Sequence, residues 1–215
     1  MSKEEVIKKI HKFVKGKDHP MMDDPEILRD PYRTLIGCLL SLRTKDETSL
    51  KVSIELFKKA RNFKELNKMS LKELEKRIRS VNYYKTKAKR IKDVVKVILK
   101  DYNGKVPNDF NELMKLKGVG EKTAAVCMLY GFGVDSYIPV DVNVHRIVNR
   151  LGWFKSKSFS ESMYKLMDTI DRKYWKWINN DFVIFGKNIC VPISPFCSKC
   201  VVSKNCKKVG VNKRR

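Results

Sequence analysis

The chain has 215 residues, enough to bury a sizeable core in one domain or in two small ones. Its 47 Lys and Arg against 24 Asp and Glu give a formal charge of +23, which favours nucleic acid as the partner because neutralised phosphates release counterions. We find no apolar run of membrane-spanning length and no lipidation signal, so a membrane partner is not expected.

Apolar residues recur at intervals of three and four along the chain, which predicts an all-α fold without strands. Residues 1–15 have the pattern of a charged helix and lack the apolar core of a secretory signal. Asp46 is expected to cap one helix, and Ser70 with Glu73 to form a capping box at the start of another. Further helices are predicted at about residues 31–40, 46–60, 70–80, 84–101 and 109–117.

A tight turn, Gly118-Val119-Gly120, follows an apolar helix end and precedes a new helix that begins near Glu121. This pattern, over about residues 109–131, predicts a helix-hairpin-helix. Glycines allow a positive φ and close backbone approach, and the free N–H groups of the turn can bind an anion. With the excess of positive charge, the expected anion is a DNA phosphate; the alternative is a simple helix–helix turn.

Four of the six cysteines lie within seventeen residues near the end of the chain: Cys190, Cys197, Cys200 and Cys206. Disulfides require an oxidising compartment, for which the sequence gives no sign. Structural zinc usually binds two short cysteine or histidine pairs, and only Cys197 and Cys200 form such a pair. We therefore predict a [4Fe–4S] cluster, with zinc as the alternative. The basic tail that follows, residues 207–215, is expected to be loose.

Three motifs together closely resemble the endonuclease III family of DNA glycosylases: GVGEKTA at the hairpin, Val140-Asp141 about twenty residues later, and the C-x6-C-x2-C-x5-C tail. The similarity runs from about Pro31 to Cys206. It implies a two-lobed, all-α helix-hairpin-helix glycosylase fold. A six-helix barrel domain would comprise residues 25–135, and residues 1–24 with 136–215 would form a second lobe that holds the cluster. DNA would lie across the cleft between the lobes.

The resemblance also implies two catalytic residues. Lys122 would attack C1′ of the damaged nucleotide as the free amine, displace the base, form a Schiff base and allow β-elimination of the 3′ phosphate. Asp141 would cap the next helix and, as an ionised carboxylate, stabilise positive charge on the sugar or transfer protons. Relatives that excise adenine or thymine from mismatches carry serine or tyrosine in place of the lysine, so Lys122 argues against both activities.

The remaining expected DNA contacts include departures from the family pattern. Tyr83 aligns with the apolar wedge that fills the gap left by an extruded base. Arg43 stands where relatives usually carry glutamine, and since arginine can donate two hydrogen bonds to guanine, a preference for lesions opposite guanine is a hypothesis. Lys117 replaces a frequent proline in the hairpin, where it is expected to leave phosphate binding by Gly118, Val119 and Gly120 intact.

The sequence therefore predicts a bifunctional DNA glycosylase and abasic-site lyase that removes oxidised or reduced pyrimidines from double-stranded DNA. The alternatives are a monofunctional mismatch glycosylase and a non-catalytic protein that binds DNA damage; an electron carrier is disfavoured by the charge and the hairpin. We expect a monomer in the cytoplasm, associated with the nucleoid of a prokaryote. The absence of Gln and the 33% of charged residues indicate a thermophilic source.

Overall fold

The computed structural model describes residues 1–17, 27 and 29–215. Within these residues all regular elements are helical and no strand occurs, which confirms the predicted all-α fold. No helix in this part of the chain is both long and apolar enough to cross a membrane. The α-helices are α1 (Lys3–Val14), α2 (Pro31–Ser41), α3 (Asp46–Lys59), α4 (Phe63–Lys68), α5 (Leu71–Arg77), α6 (Tyr84–Asp101), α7 (Phe110–Lys115), α8 (Glu121–Val126), α9 (Val142–Leu151), α10 (Phe159–Thr169) and α11 (Trp175–Asn188).

The chain divides into two compact units. One, here called the middle unit, comprises residues 20–136, and the other, the terminal unit, comprises residues 1–19 together with 137–215. The sequence analysis placed the domain boundaries between residues 24 and 25 and between residues 135 and 136. The first of these positions lies outside the described residues.

The middle unit is organised around α2, whose side chains are almost all buried. This helix packs on α3 and on a single turn of π-helix, Cys127–Gly131, that continues α8. The long helix α6 packs on α4 and α5 through an apolar stripe that includes Ile91, Val95 and Ile98, all fully buried. An apolar stripe with a helical period thus determines which face of the basic helix is buried, as its sequence indicated.

The terminal unit is organised around α11, which packs on α1 and α9, while α10 packs on α9. Phe182 and Phe185 of α11 are completely buried. The ring of His11 in α1 stacks on Trp177 of α11 with centroids 3.9 Å apart, and its Nδ1 lies 2.8 Å from Oδ2 of the buried Asp181. These contacts attach the N-terminal helix to the C-terminal part of the chain.

Two capping predictions were wrong in detail. Asp46 is the first residue of α3, not its cap; Lys45 occupies the cap position and makes no side-chain capping bond. Ser70 does cap α5 by accepting the N–H of Glu73, but the Glu73 carboxylate accepts from Arg77, so only one half of the predicted capping box forms. A complete capping box occurs instead at the start of α1.

Candidate functional sites

The predicted hairpin joins α7 to α8 in the middle unit. Gly118 has φ +85°, a conformation that glycine adopts without strain, and Gly120 is extended. A Cβ at Gly118 would stand 2.2 Å from Cδ of Arg90 in α6, so the position also excludes larger residues sterically. Val119 is buried between the two exposed glycines, and therefore only the backbone of Val119 could meet a phosphate.

Lys117 lies at the edge of this turn and is highly exposed. Its Nζ donates to Oδ2 of Asp93 in α6 at 2.9 Å. An exposed ion pair of this kind contributes little stability and can exchange its carboxylate for a phosphate. The side chain of Lys117 can therefore still make the predicted contact with DNA.

Lys122 is the second residue of α8 and is exposed. The two cysteines outside the C-terminal group, Cys38 of α2 and Cys127, are buried and hydrogen-bonded to each other. A hydrogen bond from the Cys127 thiol lowers the pKa of Cys38, and the positive charge of Lys122 acts in the same direction against the opposing effect of burial. The charge of Lys122 thus acts on a buried thiol pair, an effect that no sequence pattern indicated.

Asp141 belongs to the terminal unit and caps α9, as the sequence predicted. Its Oδ1 accepts the backbone N–H groups of Asn143 and Val144 at 2.8 and 2.9 Å, and its Oδ2 accepts Nδ2 of Asn143 at 2.9 Å. Three donors to one carboxylate fix its orientation. The half-buried side chain is therefore a preorganised anion at the start of a helix.

Asn143 connects this carboxylate to the cysteine region through Arg146. Nη2 of Arg146 donates to Oδ1 of Asn143 at 2.8 Å and to the carbonyl of Gly186 at 3.0 Å, and its Nε donates to the carbonyl of Cys190 at 2.9 Å. At Gly186 a Cβ would stand 2.7 Å from Cβ of Asn143, so α9 and α11 approach closely here. Sequence analysis did not single out Asn143 or Arg146, because neither belongs to a recognisable motif.

The four C-terminal cysteines come together, each half-buried, around one small cavity. Its lining also includes the side chains of Ile189, Phe196 and Val211. Arg150 of α9 supports the loop: Nη1 donates to the carbonyl of Val191 at 2.8 Å, and Nη2 donates to that of Pro192 at 2.6 Å. A convergence of four thiols in one cavity suits a shared inorganic centre.

The thiols have polar neighbours that suit bound thiolates. The backbone N–H of Lys208 donates to Sγ of Cys206 at 3.3 Å, and Nη1 of Arg150 lies 3.4 Å from Sγ of Cys190. Burial raises the pKa of Cys200 to about 11, and the positive charge of a bound metal centre would act in the opposite direction. Among the described residues, no group of three or more His, Cys, Asp or Glu side chains is arranged around a position for a single metal ion.

The tail, residues 207–215, is not loose, and that expectation was wrong. The N–H of Val209 donates to the carbonyl of Arg150 at 3.1 Å, the N–H of Arg215 to the carbonyl of Pro195 at 2.8 Å, and the Arg215 guanidinium lies 4.0 Å from the centroid of the Phe196 ring. Backbone hydrogen bonds and a cation–π contact hold the tail in place. The basic composition of the tail does not reveal either kind of contact.

Arg43 and Tyr83 lie on neighbouring loops of the middle unit and both are exposed, with 65% of Tyr83 accessible. Tyr84, by contrast, is half-buried. Lys87 in α6 is buried, which its sequence alone did not indicate. Lys122 of the middle unit and Asp141 of the terminal unit are each positioned within their own unit.

Comparison with protein families gives one match over most of the chain. The profile of the HhH-GPD superfamily base excision DNA repair protein matches residues 36–172. Among curated proteins, endonuclease III of Thermotoga maritima is 39% identical over 177 residues, which cover 82% of this chain and 83% of the relative. Endonuclease III of Bacillus subtilis is 34% identical over 83% of this chain and 82% of the relative.

Solved structures give the same result for the fold. An endonuclease III trapped as a covalent intermediate with DNA has a TM-score of 0.86 at 32% identity and covers 97% of both chains. A thermostable thymine-DNA glycosylase has a TM-score of 0.80 at 28% identity and covers 95% of both chains.

Proposed function

The chain belongs to the HhH-GPD superfamily of base excision DNA repair proteins, and from this premise we propose that it is a bifunctional DNA glycosylase and abasic-site lyase. Its substrate is double-stranded DNA that contains an oxidised or reduced pyrimidine or an abasic site. The observation that carries the proposal is the exposed Lys122, which follows the hairpin Gly118-Val119-Gly120 directly in a chain related to endonuclease III.

The residues of this chain perform the following steps. The backbone of the hairpin binds a DNA phosphate, and Lys117 adds charge beside it. The neutral Nζ of Lys122 forms a bond to C1′ as the glycosidic bond breaks and the base leaves with the bonding electrons and a proton. Opening of the sugar ring gives a Schiff base; loss of a proton from C2′ then expels the 3′ phosphate, and water releases the lysine.

Asp141 stabilises the positive charge that develops on the sugar as the base departs. The three hydrogen bonds that it accepts hold the carboxylate in one orientation. Arg43 and Tyr83 fill the gap that the extruded nucleotide leaves in the duplex. We further propose that Arg43 favours guanine as the opposite base; equal excision rates opposite guanine and adenine, in the wild type and in Arg43→Ala alike, would contradict this.

We propose that Cys190, Cys197, Cys200 and Cys206 hold a [4Fe–4S] cluster through their thiolates. Four thiols around one cavity, with donors directed at two of the sulfurs, fit this group. The cluster would cross-link the loop and would take no part in the reaction. A brown protein with thiolate-to-iron absorbance would support the assignment, and a colourless, zinc-loaded protein would contradict it.

Borohydride trapping tests the lyase. Wild-type protein is incubated with duplexes that carry thymine glycol, 5,6-dihydrouracil or an abasic site, and the covalent complex is measured together with base release. Lys122→Gln should give no trapped complex, whereas Lys115→Gln, which removes an exposed lysine of the same hairpin, should give as much as the wild type. A complex that persists in Lys122→Gln would remove Lys122 from the reaction.

A monofunctional mismatch glycosylase is the second candidate, because the thermostable thymine-DNA glycosylase has nearly the same fold. Such an enzyme would release thymine from G·T mismatches without forming a trapped complex. A non-catalytic damage-binding protein would release no base from any duplex, and Asp141→Asn would leave its DNA affinity unchanged. We also propose that the protein is a monomer and works on the nucleoid of a prokaryotic, thermophilic cell.

A further inference from the structure

Two loops of the middle unit each contain an exposed residue with a positive φ, a backbone conformation that residues other than glycine rarely adopt. Arg43, between α2 and α3, has φ +54°, and Tyr83, which precedes α6, has φ +57° and ψ +33°. Both are side-chain-bearing residues in the left-handed region, where Cβ approaches the following carbonyl oxygen. Such conformations persist only when the surrounding structure holds them, and they are concentrated at functional sites.

Asn82 ties the two loops together. Its side-chain Nδ2 donates to the carbonyl of Arg43 at 2.6 Å, and its backbone N–H donates to Oγ1 of Thr44 at 3.1 Å. One residue therefore fixes the peptide on the C-terminal side of Arg43 while it precedes Tyr83 directly. The loop of Arg43 is thus hydrogen-bonded to the residue that precedes Tyr83.

Lys87 lies beneath this connection, with only 4% of the residue accessible. Its Nζ donates to Oγ1 of Thr44 at 2.9 Å and to the carbonyl of Leu40 at 2.6 Å. The second contact satisfies a carbonyl in the last turn of α2, where a positive charge is favourable. Burial, and then the charge of Arg90, lower the pKa of Lys87 to about 8, so the position is unfavourable for an ammonium group unless these acceptors are present.

We propose that Lys87 is a positioning residue that, through Thr44 and Asn82, joins the Arg43 and Tyr83 loops into one preformed wedge for duplex DNA. This inference rests on the proposed function, in which Arg43 and Tyr83 fill the gap left by the extruded nucleotide. Lys87 itself is buried and touches neither the DNA nor the reacting atoms.

A preformed wedge affects only those steps in which a gap must be filled. In duplex DNA, the two side chains must enter the stack together, and loops that are ordered beforehand lose less conformational entropy on insertion. A single-stranded oligonucleotide has no opposite base and no gap. The ratio of the duplex rate to the single-strand rate therefore separates positioning of the wedge from general damage to the protein.

Lys87→Met is the primary variant, because it keeps the length of the side chain and removes its donors. Base release from a duplex that contains dihydrouracil should fall about tenfold or more, while cleavage of a single-stranded abasic oligonucleotide should stay within about twofold of the wild-type rate. Lys87→Arg, which keeps a charged donor, should recover part of the duplex rate. Asn82→Ala, an exposed change that leaves the core intact, should lower the same ratio.

Lys92→Met is the matched control. Lys92 also lies in α6 and donates through Nζ to the carbonyls of Leu66, Asn67 and Met69 at 3.4, 2.7 and 2.8 Å. Its removal should reduce stability but leave the duplex-to-single-strand ratio unchanged. An equal fall of both rates in Lys87→Met and Asn82→Ala, or a ratio that neither variant lowers, would overturn the proposal.

A binding measurement keeps this result separate from the proposed function. The adenine analogue 2-aminopurine, placed opposite an abasic site, becomes fluorescent when the wedge displaces it from the stack. Lys87→Met should reduce the fluorescence increase at saturating protein, and Lys92→Met should not. If the wild type displaces the analogue but releases no base, the proposed enzyme activity is wrong and the wedge is still supported. If Lys87→Met displaces the analogue as fully as the wild type, the positioning role of Lys87 is wrong.

Discussion

Replacement of Gly118 by alanine tests the hairpin most directly, because two separate effects act at this position. The backbone has φ +85°, and the new Cβ would stand 2.2 Å from Cδ, 2.5 Å from Nε and 2.9 Å from Cζ of Arg90. The left-handed conformation alone costs an alanine about 1–2 kcal/mol. Displacement of the Arg90 side chain should add about 1 kcal/mol, the lower end of the cost of overpacking, since the side chain can move.

Gly133 provides the control in the same unit. It has φ +73°, but a Cβ there would meet no atom within 4 Å, so Gly133→Ala measures the conformational cost alone. We therefore expect Gly118→Ala to lower the free energy of unfolding by about 2–3 kcal/mol and Gly133→Ala by about 1–2 kcal/mol. Addition of Arg90→Ala to Gly118→Ala should remove the steric part of the difference.

Urea unfolding followed by circular dichroism gives the free energies, and fluorescence anisotropy at a fixed salt concentration gives the affinity for undamaged duplex DNA. A displaced turn should weaken this affinity about tenfold in Gly118→Ala, which corresponds to about 1.4 kcal/mol, and should leave it unchanged in Gly133→Ala. Equal stability of the two single variants would refute the steric argument. An unchanged DNA affinity in a destabilised Gly118→Ala would refute the hairpin as a phosphate site.

Three further predictions follow from contacts elsewhere in the two units. Asp141→Asn keeps an oxygen for the helix cap, so stability should fall by less than about 1 kcal/mol, whereas single-turnover base release should fall about 100-fold or more. A loss of base release no larger than the loss of stability explains would show that Asp141 acts only as a cap. Arg146→Met removes the guanidinium that donates to Oδ1 of Asn143 and to the carbonyls of Gly186 and Cys190, and it should lower stability by about 2 kcal/mol in urea, with the exposed Arg79→Met near neutral as control. Because burial lowers the pKa of Lys87 from 10.5 to about 8, the unfolded chain binds more protons than the folded chain between these values. Stability should therefore rise from about pH 8 to 10.5, by up to about 3 kcal/mol relative to Lys87→Met; parallel pH profiles of the two proteins would contradict the shift.

The sequence predicted the features that depend on residue type and spacing. Apolar periodicity gave the helices, such as α6 at Tyr84–Asp101, because a 3.6-residue period determines one buried face without reference to the rest of the fold. Asp141 was predicted as a cap because capping requires only a short polar side chain before a helix. The hairpin and the cysteine spacing were readable for the same reason, since both are local patterns. The six-residue α4 was not predicted, whereas the equally short α7 was, because Asp109 and Gly118 mark the two ends of α7 in the sequence.

Only the tertiary structure determined which of many similar residues is special. The 47 basic residues look alike in the sequence, yet Lys87 is buried under the Arg43 and Tyr83 loops, Arg146 links Asp141 to the cysteine loop through Asn143, and Arg215 holds the tail on Phe196. Each of these roles depends on acceptors that lie far away in the chain, and long-range contacts leave no local pattern. The composition therefore indicates that this protein binds a polyanion. The packing of α2, α6, α9 and α11 determines which of its basic side chains make structural contacts.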